Sequence, residues 1–170
     1  MRNSEKIVIS SEDSGGKLVW KNKAFKCALG SSGVSKDKHE GDGATPAGCF
    51  LIREIYYRAD RIEKPDTTFP AQELAKDDGW CDESQDPNYN KHVKLPYPAS
   101  AEKLWRDDNL YDIIVVLGYN DQPVIPGRGS CIFMHIARPA YTPTAGCVAL
   151  SKEDLLEILK EVHRSTPVCI

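Results

Sequence analysis

Cys147 lies in the run Thr142-Pro143-Thr144-Ala145-Gly146-Cys147-Val148-Ala149-Leu150. A glycine directly before a cysteine permits a tight backbone and close approach by a ligand. The adjacent amide hydrogens can then point at a developing oxyanion. His135 stands twelve residues earlier, in the strand-like run Cys131 to Ile136. A cysteine and a histidine are the minimum for thiolate acyl transfer. The imidazole takes the proton, the sulfur attacks a carbonyl, and the imidazole returns the proton to the leaving amine. Spacing alone leaves blander readings open. A cysteine in an apolar run is also a small buried hydrophobe, and a histidine between Met134 and Ile136 is also a hydrogen-bonded core residue.

The elements that must hold these two residues are mostly strands. Lys6 to Ser10, Lys17 to Trp20 and Ala24 to Leu29 read as successive hairpins of one sheet. Gly30 to Gly43 is polar and loop-like, and Cys49 to Tyr57 is a strong strand. Residues 58–100 carry turn signals such as Asp77-Asp78-Gly79-Trp80 and no long periodic segment. So long an irregular stretch in a compact domain usually shapes a site. Ser100 to Trp105 reads as a short helix capped by Ser100. Ile113 to Leu117 is the most apolar strand and should be central in its sheet. The clearest helix begins at Ser151, where Ser151 and Asp154 resemble a capping box, and Pro167 is expected to stop it.

The chain has 170 residues, 41% apolar and 28% charged, which suits one domain over 1–170 with a core of its own. A net charge of -3 argues against a nucleic-acid partner. No run reaches the roughly 18 apolar residues of a membrane span, and the start MRNSEKIVIS lacks a signal-peptide core. The six cysteines, at 27, 49, 81, 131, 147 and 169, show no Cys-x-x-Cys spacing, which disfavours a zinc knuckle or a thioredoxin-like pair; no metal or cofactor is expected. Cys27, Cys49 and Cys131 read as buried thiols and Cys169 as part of a frayed terminus.

His135 followed by Thr144-x-Gly146-Cys147 resembles the L,D-transpeptidase catalytic domain, also called YkuD. Upstream, His39-Glu40-Gly41-Asp42-Gly43-Ala44-Thr45-Pro46-Ala47-Gly48 is similar in style to that family's Lys-x-Gly-x-x-x-Thr-Pro-x-Gly segment. Gly79-Trp80-Cys81-Asp82, Tyr89-Asn90 and Leu104-Trp105-Arg106-Asp107-Asp108 look like a short, single-domain subgroup. The resemblance implies a mostly-β fold, an L,D-transpeptidase-like β-sandwich with one or two peripheral helices. The sequence departs from the family pattern in three places: Ala145 before Gly-Cys, Ile136 after the histidine, and the apolar Val148-Ala149-Leu150.

The resemblance also implies a reaction. Cys147 would attack the diamino acid carbonyl of a peptidoglycan stem tetrapeptide and release D-alanine. The acyl-thioester would pass to a second stem as a 3-3 cross-link. His135 would be the base, the Gly146 and Cys147 amides the oxyanion donors, and Thr144 local support. Arg138 suits a stem carboxylate. Tyr141, Trp80, Tyr89 and Trp105 are further candidates for contact with substrate, although the three last equally suit clamping of the irregular segment. Asp42 and Thr45 look structural. Two alternatives stand beside the transpeptidase: an L,D-carboxypeptidase that uses water, and a catalytically weak peptidoglycan-binding module. The partner implied is the stem peptide, bound by a monomer. The chemistry points to the periplasm or cell envelope, whereas a full-length chain without a leader would be cytoplasmic.

Overall fold

The computed structural model describes residues 5–170. Three strands open the chain as a meander: β1 (Ile7–Glu12), β2 (Gly15–Trp20) and β3 (Lys23–Cys27). Ile7 and Ile9 face the core while Val8 and Ser10 face out, as a half-buried strand requires. A loop follows, pinned by the short parallel pair β4 (Val34–Ser35) and β5 (Thr45–Pro46). The long strand β6 (Cys49–Tyr57) comes next.

The stretch expected to be irregular contains three short strands, and a fourth follows it directly. β7 (Ala71–Glu73) lies parallel to β6. β8 (Asp78–Cys81), β9 (His92–Lys94) and β10 (Ala101–Lys103) form a separate sheet in the order β10-β8-β9. The short helix expected from Ser100 is therefore corrected to strand. Ala101 and Lys103 pair with Cys81 and Gly79 across β8, and that ladder overrides a marginal local preference.

The chain then returns through β11 (Ile113–Leu117), β12 (Phe133–Ile136) and β13 (Val148–Leu150). α1 (Lys152–Glu161) follows, with Ser151 Oγ accepting from the Asp154 amide at 3.1 Å. The helix ends before the expected stop: buried Val162 already has extended backbone. Pro167 instead opens β14 (Pro167–Cys169).

The large sheet runs β13-β12-β11-β6-β14-β1-β2-β3, with β7 beside β6. Its two ends meet. Ala28, just past β3, exchanges backbone hydrogen bonds of 2.8 and 2.9 Å with Ala149 of β13. The result is the expected mostly-β sandwich architecture, with one large sheet curled until it nearly closes. β11 is internal, as its apolar run implies, between β12 and β6. Both its faces are covered. Ile113, Val115 and Leu117 enter the main core with Met134, Ile136, Val148, Leu150 and the Leu155, Ile158 and Leu159 face of α1. Ile114 and Val116 enter a second core with Tyr56, Trp80, Leu104, Tyr111, Phe133 and Cys147.

Two cysteine expectations change here. Cys169 is not frayed and Cys49 is not a buried thiol. They lie opposite each other across β6 and β14, and they are joined by a disulfide spanning 120 residues of sequence. Cys49 is exposed, so the bond clasps the outside of the sheet. The Cys49→Ser variant should lose about 2–5 kcal/mol of unfolding free energy, the usual value for a native disulfide that closes a long loop. Urea titration under non-reducing conditions checks this. An unchanged midpoint would show that the bond contributes nothing.

Candidate functional site

The twelve-residue interval between His135 and Cys147 has a simple structural meaning. β12 and β13 are parallel neighbours, with His135 beside Ala149 and Met134 beside Val148. Side chains alternate along a strand, so Cys147, two residues before Ala149, shares a face with His135 and Phe133. That face is the second core. The opposite face, with Met134 and Val148, belongs to the main core.

The connection between the two strands includes a single 3-10 turn, Pro139–Tyr141. Its return leg is fixed by the seam of the sheet. The Thr144 amide donates to Leu29 O at 2.9 Å, and the Ser31 amide donates to Thr144 O at 2.9 Å. Gly146 then has φ +144°, and a Cβ there would stand 2.8 Å from Ala44 O. The glycine is required by a backbone segment of the chain itself.

That segment is the loop of the Thr-Pro motif. Thr45, fully buried, accepts at Oγ1 from the Gly30 amide at 2.8 Å. The Asp42 carboxylate accepts from Lys38 Nζ at 2.5 Å and from the amides of His39 and Ala44. Burial raises its pKa, but these donors outweigh burial and hold it down to about 2. Asp42 and Thr45 thus build the loop.

The sulfur is held by backbone. Cys147 Sγ donates to Cys131 O at 3.0 Å and receives the Phe133 amide at 3.4 Å. His135 Nδ1 donates to Ile136 O at 2.8 Å, which leaves Nε2 unprotonated in the neutral ring. The Tyr111 ring stands edge-on to the imidazole, 5.2 Å between centroids. No hydrogen bond joins Cys147 to His135. Thr144 Oγ1 donates to Cys147 O at 2.7 Å and accepts from the Gly146 amide at 3.0 Å. Thr144 therefore secures the turn, and the imidazole is oriented by Ile136 O. The Gly146 amide, one of the two anticipated oxyanion donors, is already occupied.

Electrostatics follow from burial. Desolvation pushes the Cys147 thiol up to about 12, the negative Glu102 adds to the rise, and the Phe133 amide only partly opposes it. Burial pulls His135 down to about 4. The Ile136 carbonyl opposes that shift, and the nearby Arg138 and Arg106 charges reinforce it. At neutral pH the pair is a thiol and a neutral imidazole, and proton transfer between them is uphill.

Cys147 and His135 open onto a cavity of about 350 Å³. Thr144, Gly146 and Arg138 also line it. The other expected contact residues lie elsewhere. Tyr141 borders a neighbouring depression and stacks under Lys26, 4.9 Å from its ring. Trp80 donates from Nε1 to Asn90 Oδ1 at 3.0 Å and packs edge-on against Phe133. Tyr89 is buried and donates to Glu40. Trp105 lies under the Arg58 guanidinium, 3.5 Å from its centroid. These three fasten the small sheet and its loops, the second of the roles their composition suggested. The cavity is lined instead by Lys38, Asp82, Glu102, Arg106, Tyr111 and Cys131. Asp82 and Arg106 sit inside motifs already noticed. Glu102 is concealed because its segment reads as helix. Cys131 leaves the strand expected of it: at φ +56° it turns before β12 begins. Among the described residues, no group of three His, Cys, Asp or Glu could hold a metal ion.

The expectation of a cysteine-dependent L,D-transpeptidase, acting as transferase or hydrolase through a Cys147 acyl-thioester, is corrected on two grounds. The Cys49–Cys169 disulfide shows that thiols of this fold are oxidised to a structural bond. Such bonds persist in oxidising surroundings, where a reactive thiolate is the species most readily lost. Cys147 is free, but it is a buried, protonated thiol with no bond to its histidine. Both findings suit a catalytically weak, binding variant. Alkylation of Cys147 by iodoacetamide, followed residue by residue by mass spectrometry, should rise about tenfold per pH unit from about pH 7 to about pH 9. A rate that levels off near neutral pH would reveal an activated thiolate.

No curated protein matches the chain. A solved structure, that of Bdellovibrio bacteriovorus Bd1075, aligns with a TM-score of 0.49 and 12% identity, covering 98% of this chain and 47% of that one. The chain thus spans under half the length of that protein. The family model described as the L,D-transpeptidase catalytic domain, YkuD, matches residues 5–170. The sheet seam, the Thr-Pro loop and the Thr-x-Gly-Cys turn all fall within that match, and the chain belongs to the YkuD family of L,D-transpeptidase catalytic domains.

Proposed function

We propose that this YkuD-family domain binds peptidoglycan stem peptides in the Cys147 cavity and leaves them essentially uncut. The observation that carries the reading is the state of the cavity floor. A protonated sulfur bonded to Cys131 O, beside an imidazole with which it shares no hydrogen bond, is a surface for contact. Around it stand charged groups of both signs, which suit the carboxylates, amines and amides of a stem peptide. Arg138, exposed at the rim, is the first candidate for a stem carboxylate.

The binding domain works in the cell envelope. Its partner polymer lies there, and an exposed disulfide suits an oxidising compartment. Among the described residues no helix is long and apolar enough to cross a membrane.

Calorimetry with purified tetrapeptide muropeptides, coupled to mass spectrometry of the recovered ligand, tests this directly. Binding with a Kd of about 1–100 μM is expected, with D-alanine retained to the same extent in wild type and in Cys147→Ala. Loss of D-alanine that depends on Cys147 would overturn the binding-only reading. Absence of binding would overturn the choice of ligand.

A further inference from the structure

The first three strands, β14 and the start of β6 form one layer of the sandwich, in the order β3-β2-β1-β14-β6. Its inner face fills the main core through Phe25, Leu18, Ile7 and Val168. Its outer face should be polar, since a mostly antiparallel layer with one solvated face alternates apolar-in and polar-out. One row breaks that rule. Ala24 stands opposite Val19, Val19 opposite Val8, Val8 beside Cys169, and Cys169 opposite Cys49. The row crosses all five strands without a charge. Leu51 and Pro167, themselves opposite each other, extend it by one step. Val8 and Leu51 are 39% and 37% exposed, two of the four large apolar side chains that stand out in solvent among the described residues. None of these residues lines the Cys147 cavity.

Lysines border the row. On one side Lys17 and Lys26 stand directly opposite each other on β2 and β3, and like charges so placed repel. Glu12 relieves Lys17 from 3.6 Å, with both side chains about half exposed. Lys26 has the Tyr141 ring, 4.9 Å away, and no carboxylate within ion-pair distance among the described residues. On the other side lies Lys6, two residues before Val8 and exposed on the same face, also without a carboxylate partner among the described residues. Glu5 bears on Lys21 instead, and Lys21 and Lys23 are taken up by Glu161 and Glu157 of α1. The row is thus an apolar strip with unneutralised positive charge along both borders.

We propose that this strip docks an acidic amphipathic segment of a partner protein, with apolar side chains on the row and carboxylates against Lys6 on one border and Lys17 and Lys26 on the other. Covering Val8, Val19, Ala24 and Leu51 removes apolar surface from water, and the carboxylates relieve the repulsion between Lys17 and Lys26. Four strand spacings make the row roughly 19 Å long, the length of a helix of about 13 residues. A second copy of the chain fits less well. Stacking row on row about a two-fold axis sets lysine borders against lysine borders. A membrane surface also fits less well. The row offers an alanine, two valines and a disulfide, whereas interfacial segments sink Trp, Phe and Leu side chains below the headgroups.

NMR titration of the whole chain, isotopically labelled, tests this. The probe is a synthetic helical peptide about 13 residues long, with leucine along one face and glutamate elsewhere. Its control carries lysine in place of every glutamate. The acidic peptide should bind at least about tenfold more tightly than the control, should weaken as salt is added, and should shift the amides of Lys6, Val8, Val19, Ala24 and Lys26. The double variant Lys6→Glu, Lys26→Glu should lose about tenfold in affinity for it, and Val8→Asp should lose binding outright. An unchanged melting temperature shows that each variant is folded, and the two exposed lysines carry the test where Val8→Asp is not. Equal affinity for the two peptides, shifts confined to other residues, or no binding at all would overturn the docking strip. Concentration-dependent dimers in sedimentation that Val8→Asp disperses would overturn it in favour of a second copy. Shifts of the same amides with phosphatidylglycerol vesicles, and none with the acidic peptide, would overturn it in favour of a membrane surface.

Discussion

The seam where the large sheet meets itself is the interaction on which the cavity depends. Ala28 pairs with Ala149, Leu29 and Ser31 bracket Thr144, and Gly30 is tied to Thr45. Three parts of the chain, distant in sequence, are thereby brought to one line: the end of the first meander, the Thr-Pro loop and the strand after Cys147. The turn at Gly146 passes so close to Ala44 O that a side chain there would strike it. Sulfur position is therefore a property of sheet closure, and the small residues along the seam are there because backbone meets backbone.

The two faces of β12 explain why the sulfur is quiet. Met134 and Ile136 go to the main core, while Phe133 and His135 go to the second core under the small sheet. Placing a cysteine and a histidine on the inner side of an additional layer desolvates both. Burial raises the thiol and lowers the imidazole, so each is pushed toward its neutral form. Glu102 of the small sheet adds negative charge toward the sulfur, and the arginines add positive charge toward the imidazole. Each charge disfavours the ionised form of the group it faces. The same segregation of charge suppresses a thiolate–imidazolium pair.

Much of this was legible from residue types. Weak alternation and turn signals located the first meander, and runs of strand-forming and apolar residues located β6 and β11. The Gly-Cys turn marked a close backbone approach, and His135 and Cys147 were paired on spacing that the parallel β12–β13 register explains. What escaped was non-local. Glu102 sits in a segment with marginal helical character that becomes strand only because β8 is beside it. The aromatic residues of that region looked equally suited to ligand contact and to clamping, and only packing decides: Trp80, Tyr89 and Trp105 are each consumed by a partner within the chain. The Cys49–Cys169 bond was hidden for the same reason, because nothing local says that the last strand enters the middle of the sheet.

That last strand separates the roles of the cysteines. β14 lies between β6 and β1, so three residues at the C-terminus join the two halves of the large sheet. Three-residue pairings are weak by themselves, and a covalent tie to β6 at its outer face compensates for their shortness. The conditions that form this tie would attack a reactive thiolate, yet oxidation requires thiolate character and access. Cys147 has neither in quantity: it is buried, and its pKa stands near 12. Cys27 is fully buried and likewise pushed to about 12. One pair is spent on holding the sheet together, and the thiol at the cavity floor persists alongside it because the same packing that makes it chemically quiet also protects it.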